Sequence, residues 1–272
     1  MRAGGRQMTI LCKTCGTSYD DTHGAITHCK ICEDERQYVP VTGQSWIDPA
    51  ALHATHTNKW LQHERSLLSI QTVPRFAINQ RAFLLRTPLG NVLWDCIANL
   101  DPATQTLITA LGGLSAIAIS HPHYYSTMQD WAAAFDAPIY LHADDRQWIM
   151  RDSPSIRLWE GDVHKVLPTV TLLRLGGHFA GGSIMHIDDG EGIILVGDIL
   201  QVTPGADAVS FMWSYPNMLP LPASAVIHIM HALQDVRFDR LYGAFEGQDI
   251  KSNARQIVVR SVQKYLACLR KE

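Results

Sequence analysis

LSAIAISHPHYYS, residues 114–126, passes from an unbroken apolar run into two histidines separated by one residue. A short continuous apolar run suits a strand buried on both faces. Alternate residues leaving a strand point the same way, so His121 and His123 can converge on one ion. Two further segments repeat the device. VTLLRLGGHFAGGS (170–183) places His178 in a glycine-rich turn after a strand, and GIILVGD (192–198) places Asp198 immediately after another. Three histidines and a carboxylate, each at a strand exit, form a credible shell for zinc or iron. The chain has 13 histidines, so no single one of these would carry the argument; the ordered set does.

Outward from these segments, the order of elements is strands first, then alternating strand and helix, then hairpins and a closing helix. PRFAINQRAFLLRTPLGNVLWDC (74–96) reads as two or three strands with PLGN as a hairpin turn. Helices are expected over 102–111, 127–135, around 144–150, over 223–233 and over 253–269. Strands are expected at PIYLHA, VTLLRLG, SIMHID, GIILVGD and RLYGAF. TNKWLQHERSLLSI (57–70) reads as a connecting helix. The aromatic, proline-rich stretch FMWSYPNMLPLP (211–222) reads as an ordered loop that either walls a substrate pocket or packs over the core. The pattern is that of a layered α/β (α+β) protein with mixed sheets.

At the N-terminus, residues 1–45 are polar and irregular, without helical periodicity, and hold four of the six cysteines. Cys12-x2-Cys15 and Cys29-x2-Cys32 are separated by thirteen residues. Each such turn aims two thiolates at one ion, and two turns complete a closed tetrahedral shell suited to structural zinc. His23 and His28 lie in the spacer and are read as bystanders. Cys96 and Cys268 lie in apolar segments and are expected to be buried small hydrophobes.

Composition sets the remaining bounds. Hydrophobic residues at 46% and charged residues at 18% fit a globular chain with a substantial core. A formal net charge of −3, with only Lys13 and Lys30 beside the knuckles, disfavours nucleic acid as a partner. No signal-peptide pattern and no spanning apolar window is present, so a cytoplasmic protein without membrane association is expected, acting on a small-molecule substrate.

The ordered set resembles the metallo-β-lactamase superfamily from about residue 77 to 247. In that family an apolar strand leads into HxHxDH, a GH-x-x-G-S turn gives the third histidine, and GD after a strand gives an aspartate. The matching positions are His121, His123, His178 and Asp198. LWDC resembles the family's earlier strand ending in aspartate, which makes Asp95 a support behind the ligands. The resemblance implies a four-layer αβ/βα sandwich over 46–272, preceded by a small zinc-ribbon-like module over 1–45.

The departures from the family bear on chemistry. HxHxDH becomes HPHYYS, with Tyr125 at the aspartate position and Ser126 at that of the fourth histidine. Those positions normally build a second metal site, and a neutral tyrosine and a serine are poor ligands. The family's last histidine is replaced, in FEG, by Glu246. The expectation is therefore a mononuclear centre with zinc or iron. Tyr125 is the candidate donor to a developing oxyanion, and Glu246 the candidate proton-handling carboxylate. The leading functional expectation is a metal-dependent hydrolase of an ester, thioester or lactone-like bond. The alternatives are a mononuclear non-haem iron oxidoreductase built on His121, His178 and Asp198, resembling the superfamily's persulfide dioxygenases, and a non-catalytic domain that binds a partner.

Overall fold

The computed structural model describes residues 8–21 and 26–269. His23 lies outside them. The N-terminal module is more regular than the sequence suggests. Met8–Cys12 pairs antiparallel with Ser18–Asp21 on one side and with Trp46–Ile47 on the other, and Lys30–Glu33 forms one helical turn. Strands of two to five residues are too short to imprint a period on the sequence, which is why the segment read as irregular.

A seven-stranded sheet follows, ordered 156–159, 139–142, 116–118, 92–94, 81–85, 67–73 and 57–62. Its last two strands correct the expected connecting helix. Thr57–Gln62 and Leu67–Val73 form an antiparallel hairpin in register Thr57↔Val73 to Gln62↔Leu68. The second of these is mostly buried, so its apolar residues show no alternation that would betray a strand. Its turn, His63–Ser66, contains neither Gly nor Pro; it closes through His63 N–H donating to Leu67 O at 2.9 Å. The adjoining helix Pro102–Ala110 starts where Asp101 accepts from Thr104 N at 2.7 Å and Pro102 fills the first helical position.

A six-stranded sheet is ordered 163–167, 170–174, 183–187, 193–195, 240–242 and 249–250. Only the pairing of Ile193–Leu195 with Arg240–Tyr242 is parallel among its registered pairs. Two helices cover it. Ala223–Ala232 contributes Val226 and Ile229, and Ala254–Leu269 contributes Ala254, Ile257, Val258 and Val262 at helical spacing, all against Ile184, Ile194 and Leu241. Cys96 is buried as expected, but Cys268 is exposed. It lies in the last turn of its helix, past Val262, the final buried residue there.

The chain divides into two compact units. Among the described residues, one comprises 8–21, 26–117, 122–139 and 148–156; the other comprises 118–121, 140–147 and 157–269. Among the described residues, no helix is long and apolar enough to cross a membrane.

Candidate metal centres

The four N-terminal cysteines converge. Cys12 and Cys15 leave the first strand in a tight turn, with Gly16 N donating to Cys12 O at 2.8 Å and Cys12 N to Thr17 O at 3.0 Å. Cys29 stands at the N-cap of the single helical turn and Cys32 lies within it. The sulfurs meet across the knuckles, Cys12 to Cys32 and Cys15 to Cys29, each at 3.5 Å. That is far beyond the ~2.05 Å of a disulfide. It is close to the roughly 3.8 Å edge of a tetrahedron whose sulfurs stand about 2.3 Å from an ion.

All four cysteines are buried. Hydrogen bonding from Cys15 and the neighbouring thiols holds Cys12 well below the usual thiol range, while burial pushes Cys15 well above it. Gln44 Nε2 donates to Cys12 Sγ at 2.8 Å and Tyr19 OH to Cys29 Sγ at 3.3 Å, the outer bonds a charged sulfur shell needs. The cluster fits a metal ion. His28 is not part of it; its ring is exposed and bonds Glu33 at 2.6 Å.

The second cluster assembles at strand exits. The buried strand Ala116–Ala118 runs through Ile119 and Ser120 to His121, and a 3-10 turn, Pro122–Tyr124, carries His123. The glycine-rich turn carrying His178 is closed by Leu175 N and Gly176 N donating to Gly182 O at 2.8 and 2.9 Å. Ser183 N donates to Ser120 O at 2.9 Å, pinning this turn to the residue before His121. Gly177 adopts φ +79°, and a Cβ there would meet Leu221 Cδ1 at 2.8 Å, so the turn needs glycine for both conformation and space.

His121, His123, His178 and Asp198 each offer one donor atom, and these lie within 4.8 Å of one another. All four residues are buried. His121 Nε2 stands 3.6 Å from Asp198 Oδ2. Donors ~2.1 Å from an ion lie roughly 3.4 Å apart in a tetrahedron, so this spacing is of the right size.

The stretch 211–222 determines how His178 presents itself. His178 Nδ1 lies 2.8 Å from Trp213 O and 3.2 Å from Met212 O. A carbonyl only accepts, so Nδ1 carries the proton and Nε2 keeps the lone pair a metal needs. Burial, reinforced by the neighbouring His121, pulls the His178 pKa down to about 3, keeping the ring neutral. From the same hairpin, Tyr215 OH donates to Asp198 O at 3.0 Å. Beyond the pocket wall or core cover that its composition suggests, the segment orients two members of the cluster. The only sequence signal for that was a proline-ordered loop with polar tips on its aromatics.

No family model matches the chain. It is 45% identical over 267 residues to the uncharacterized protein YmaE of Bacillus subtilis (strain 168), covering 96% of this chain and 97% of that one. The chain belongs to the YmaE family.

Solved structures define the fold of this YmaE-family chain. The metallo-β-lactamase DIM-1 exposed to ceftazidime superposes with a TM-score of 0.59 at 8% identity, covering 78% of this chain and 97% of that one. A B3 metallo-β-lactamase with an active-site glutamic acid gives 0.52 at 14% identity, covering 88% and 100%. The metallo-β-lactamase SMB-1 in complex with mercaptoacetic acid gives 0.52 at 15%, covering 75% and 92%. The YmaE-family chain therefore has the metallo-β-lactamase sandwich, with a small four-cysteine module at its N-terminus.

The other expected site residues of this YmaE-family member occupy distinct places. Asp95 is buried directly after the strand Val92–Trp94, in the left-handed region at φ +59°. Tyr125 is buried at the end of the turn that carries His123. Ser126 does not join the metal-ligand cluster; its hydroxyl donates to Gly16 O at 3.3 Å. Glu246 is exposed and lies outside the cluster, lining a cleft of about 500 Å³ with Gln201, Thr203, Ser210 and Gln248.

Proposed function

We propose that the chain is a metal-dependent hydrolase of a small-molecule ester, thioester or lactone-like bond, with a single ion held by His121, His123, His178 and Asp198. The observation that carries this reading is the convergence of three buried imidazoles and one carboxylate, one ring fixed in the metal-binding tautomer. An ion bound there with one position open would bring the pKa of a coordinated water towards neutrality and so supply a nucleophile. The identity of that ion, zinc or iron, is part of the proposal, as is zinc at the four thiolates.

The chain's own groups supply the rest. Trp213 O holds His178 in register, and the Tyr215 hydroxyl steadies the backbone of Asp198, so neither ligand must reorganise during reaction. The cleft lined by Gln201, Thr203, Ser210, Glu246 and Gln248 is of small-molecule size. One of its lining residues, Gln201, follows Asp198 by three residues along the chain. Glu246 is the carboxylate assigned to proton handling there, and Tyr125 the hydroxyl assigned to a developing oxyanion.

The test is a panel of chromogenic esters, thioesters, lactones and a cephalosporin, assayed with metal-free protein reloaded with zinc or with iron. Turnover of one class with zinc, lost in His178→Ala, supports the reading. Iron as the resident ion with oxygen-dependent turnover, or no turnover with either metal, overturns it.

A further inference from the structure

The four-cysteine module is fastened to the turn that carries His123. Ser126 O accepts twice from Ser18, from its N–H at 3.1 Å and its hydroxyl at 2.7 Å. Ser126 Oγ donates back to Gly16 O at 3.3 Å. Ser126 sits in the left-handed region at φ +45°, a conformation that persists only where its surroundings over-determine it. Gly16 is at φ +81°, and a Cβ there would stand 3.3 Å from Ala77 Cβ and 3.6 Å from Ser126 Oγ. The knuckle backbone therefore lies directly on the turn.

A second fastening stands beside the first. Arg151 Nη1 donates to Ser18 Oγ at 3.2 Å and to Asp130 Oδ2 at 2.8 Å, and its Nε donates to Asp20 Oδ1 at 2.9 Å. Asp130 lies in the helix Met128–Phe135 that leaves the His123 turn, while Ser18 and Asp20 belong to the module. The shape of 12–18 is in turn set by the sulfurs: Cys12 and Cys15 meet their partners at 3.5 Å, and Cys15 Sγ donates to Thr17 Oγ1 at 3.2 Å.

We infer that the four-cysteine module is a positioning element of the His/Asp centre, with Ser18 and Gly16 clamping Ser126 so that an ion at the thiolates raises metal affinity at the histidines. This rests on the proposed reading that the His/Asp cluster holds an ion. With the thiolates loaded, the loop 12–18 is rigid, Ser126 is held, and His123, three residues before it, is presented at no further ordering cost. Without that ion nothing ties the four sulfurs together, so the loop 12–18 loosens and the turn must be ordered when the second ion binds.

The test is a cobalt(II) titration of the metal-free full-length chain. Thiolate charge-transfer absorption reports the cysteine centre, and weaker ligand-field bands report the His/Asp centre. Wild type should load both. Ser18→Ala should weaken the His/Asp centre roughly three- to tenfold, the worth of the one buried hydrogen bond its hydroxyl donates to Ser126 O, with the cysteine centre unchanged, and Ser18→Thr should restore it. Cys29→Ser should weaken the His/Asp centre at least as much. If that variant fails to fold, the Ser18 pair decides alone. Unchanged His/Asp affinity in Ser18→Ala overturns the coupling while leaving the metal reading intact. A wild type that loads only the cysteine centre overturns the metal reading, and the coupling with it.

Discussion

Replacing His178 by Asn should remove most of one acid-sensitive component of stability, and the structure sets its size. Burial and the neighbouring His121 outweigh the attraction of Asp198 and of the Met212 and Trp213 carbonyls, and pull the ring from 6.5 to about 3. Above 6.5 the ring is neutral folded and unfolded, and it contributes no pH dependence. Between 6.5 and about 3 only the unfolded chain takes up the proton, so stability falls as pH falls. At roughly 1.4 kcal/mol per pH unit the full window amounts to about 4–5 kcal/mol, of which roughly 3 is lost by pH 4. An asparagine amide can still donate towards Trp213 O but does not titrate. Urea unfolding of metal-free wild type and His178→Asn, followed from pH 7 to pH 4, gives the difference directly. Wild type should lose about 3 kcal/mol relative to the variant across that range. A difference that stays flat with pH would refute the reasoning, because His178 would then be accessible to protons in the folded chain.

Three other perturbations follow from the same geometry. Tyr215→Phe leaves the Asp198 carbonyl without its hydroxyl donor and should cost about 1–3 kcal/mol in urea unfolding, with weaker metal binding at the His/Asp centre by competition against a chelating dye. Gly177→Ala forces a Cβ into the left-handed region against Leu221 and should cost about 1–3 kcal/mol, read as a lower Tm and a depleted His/Asp ion. Arg151→Met removes the shared partner of Asp20 and Asp130; because both carboxylates keep access to water, the cost should be about 1–2 kcal/mol, below that of a fully buried pair, measured by denaturant midpoint.

What could be read from the sequence is what chain-local patterning encodes. The apolar runs before His121 and Asp198 are buried strands because nothing polar interrupts them, and the glycines around His178 announce a turn. The two CxxC pairs point to a shared ion because two such turns supply the four thiolates of a tetrahedral shell. The hairpin 57–73 was not legible: its turn carries no Gly or Pro, and its inner strand is buried along most of its length. The role of 211–222 was not legible either, because Trp213 and Met212 act through backbone carbonyls, which every residue possesses. Nor could any local pattern foretell that Ser126, 108 residues from Ser18, would be its hydrogen-bond partner.

The most direct test of the account is metal content per chain by mass spectrometry, on wild type and on the double variant His121→Ala, His178→Ala. Two ions in wild type and one in the variant are the predicted result: the thiolates keep theirs and the histidine centre loses its own. One ion in wild type that the variant retains would contradict it, leaving the metal with the cysteines alone and the His/Asp cluster without the chemistry assigned to it.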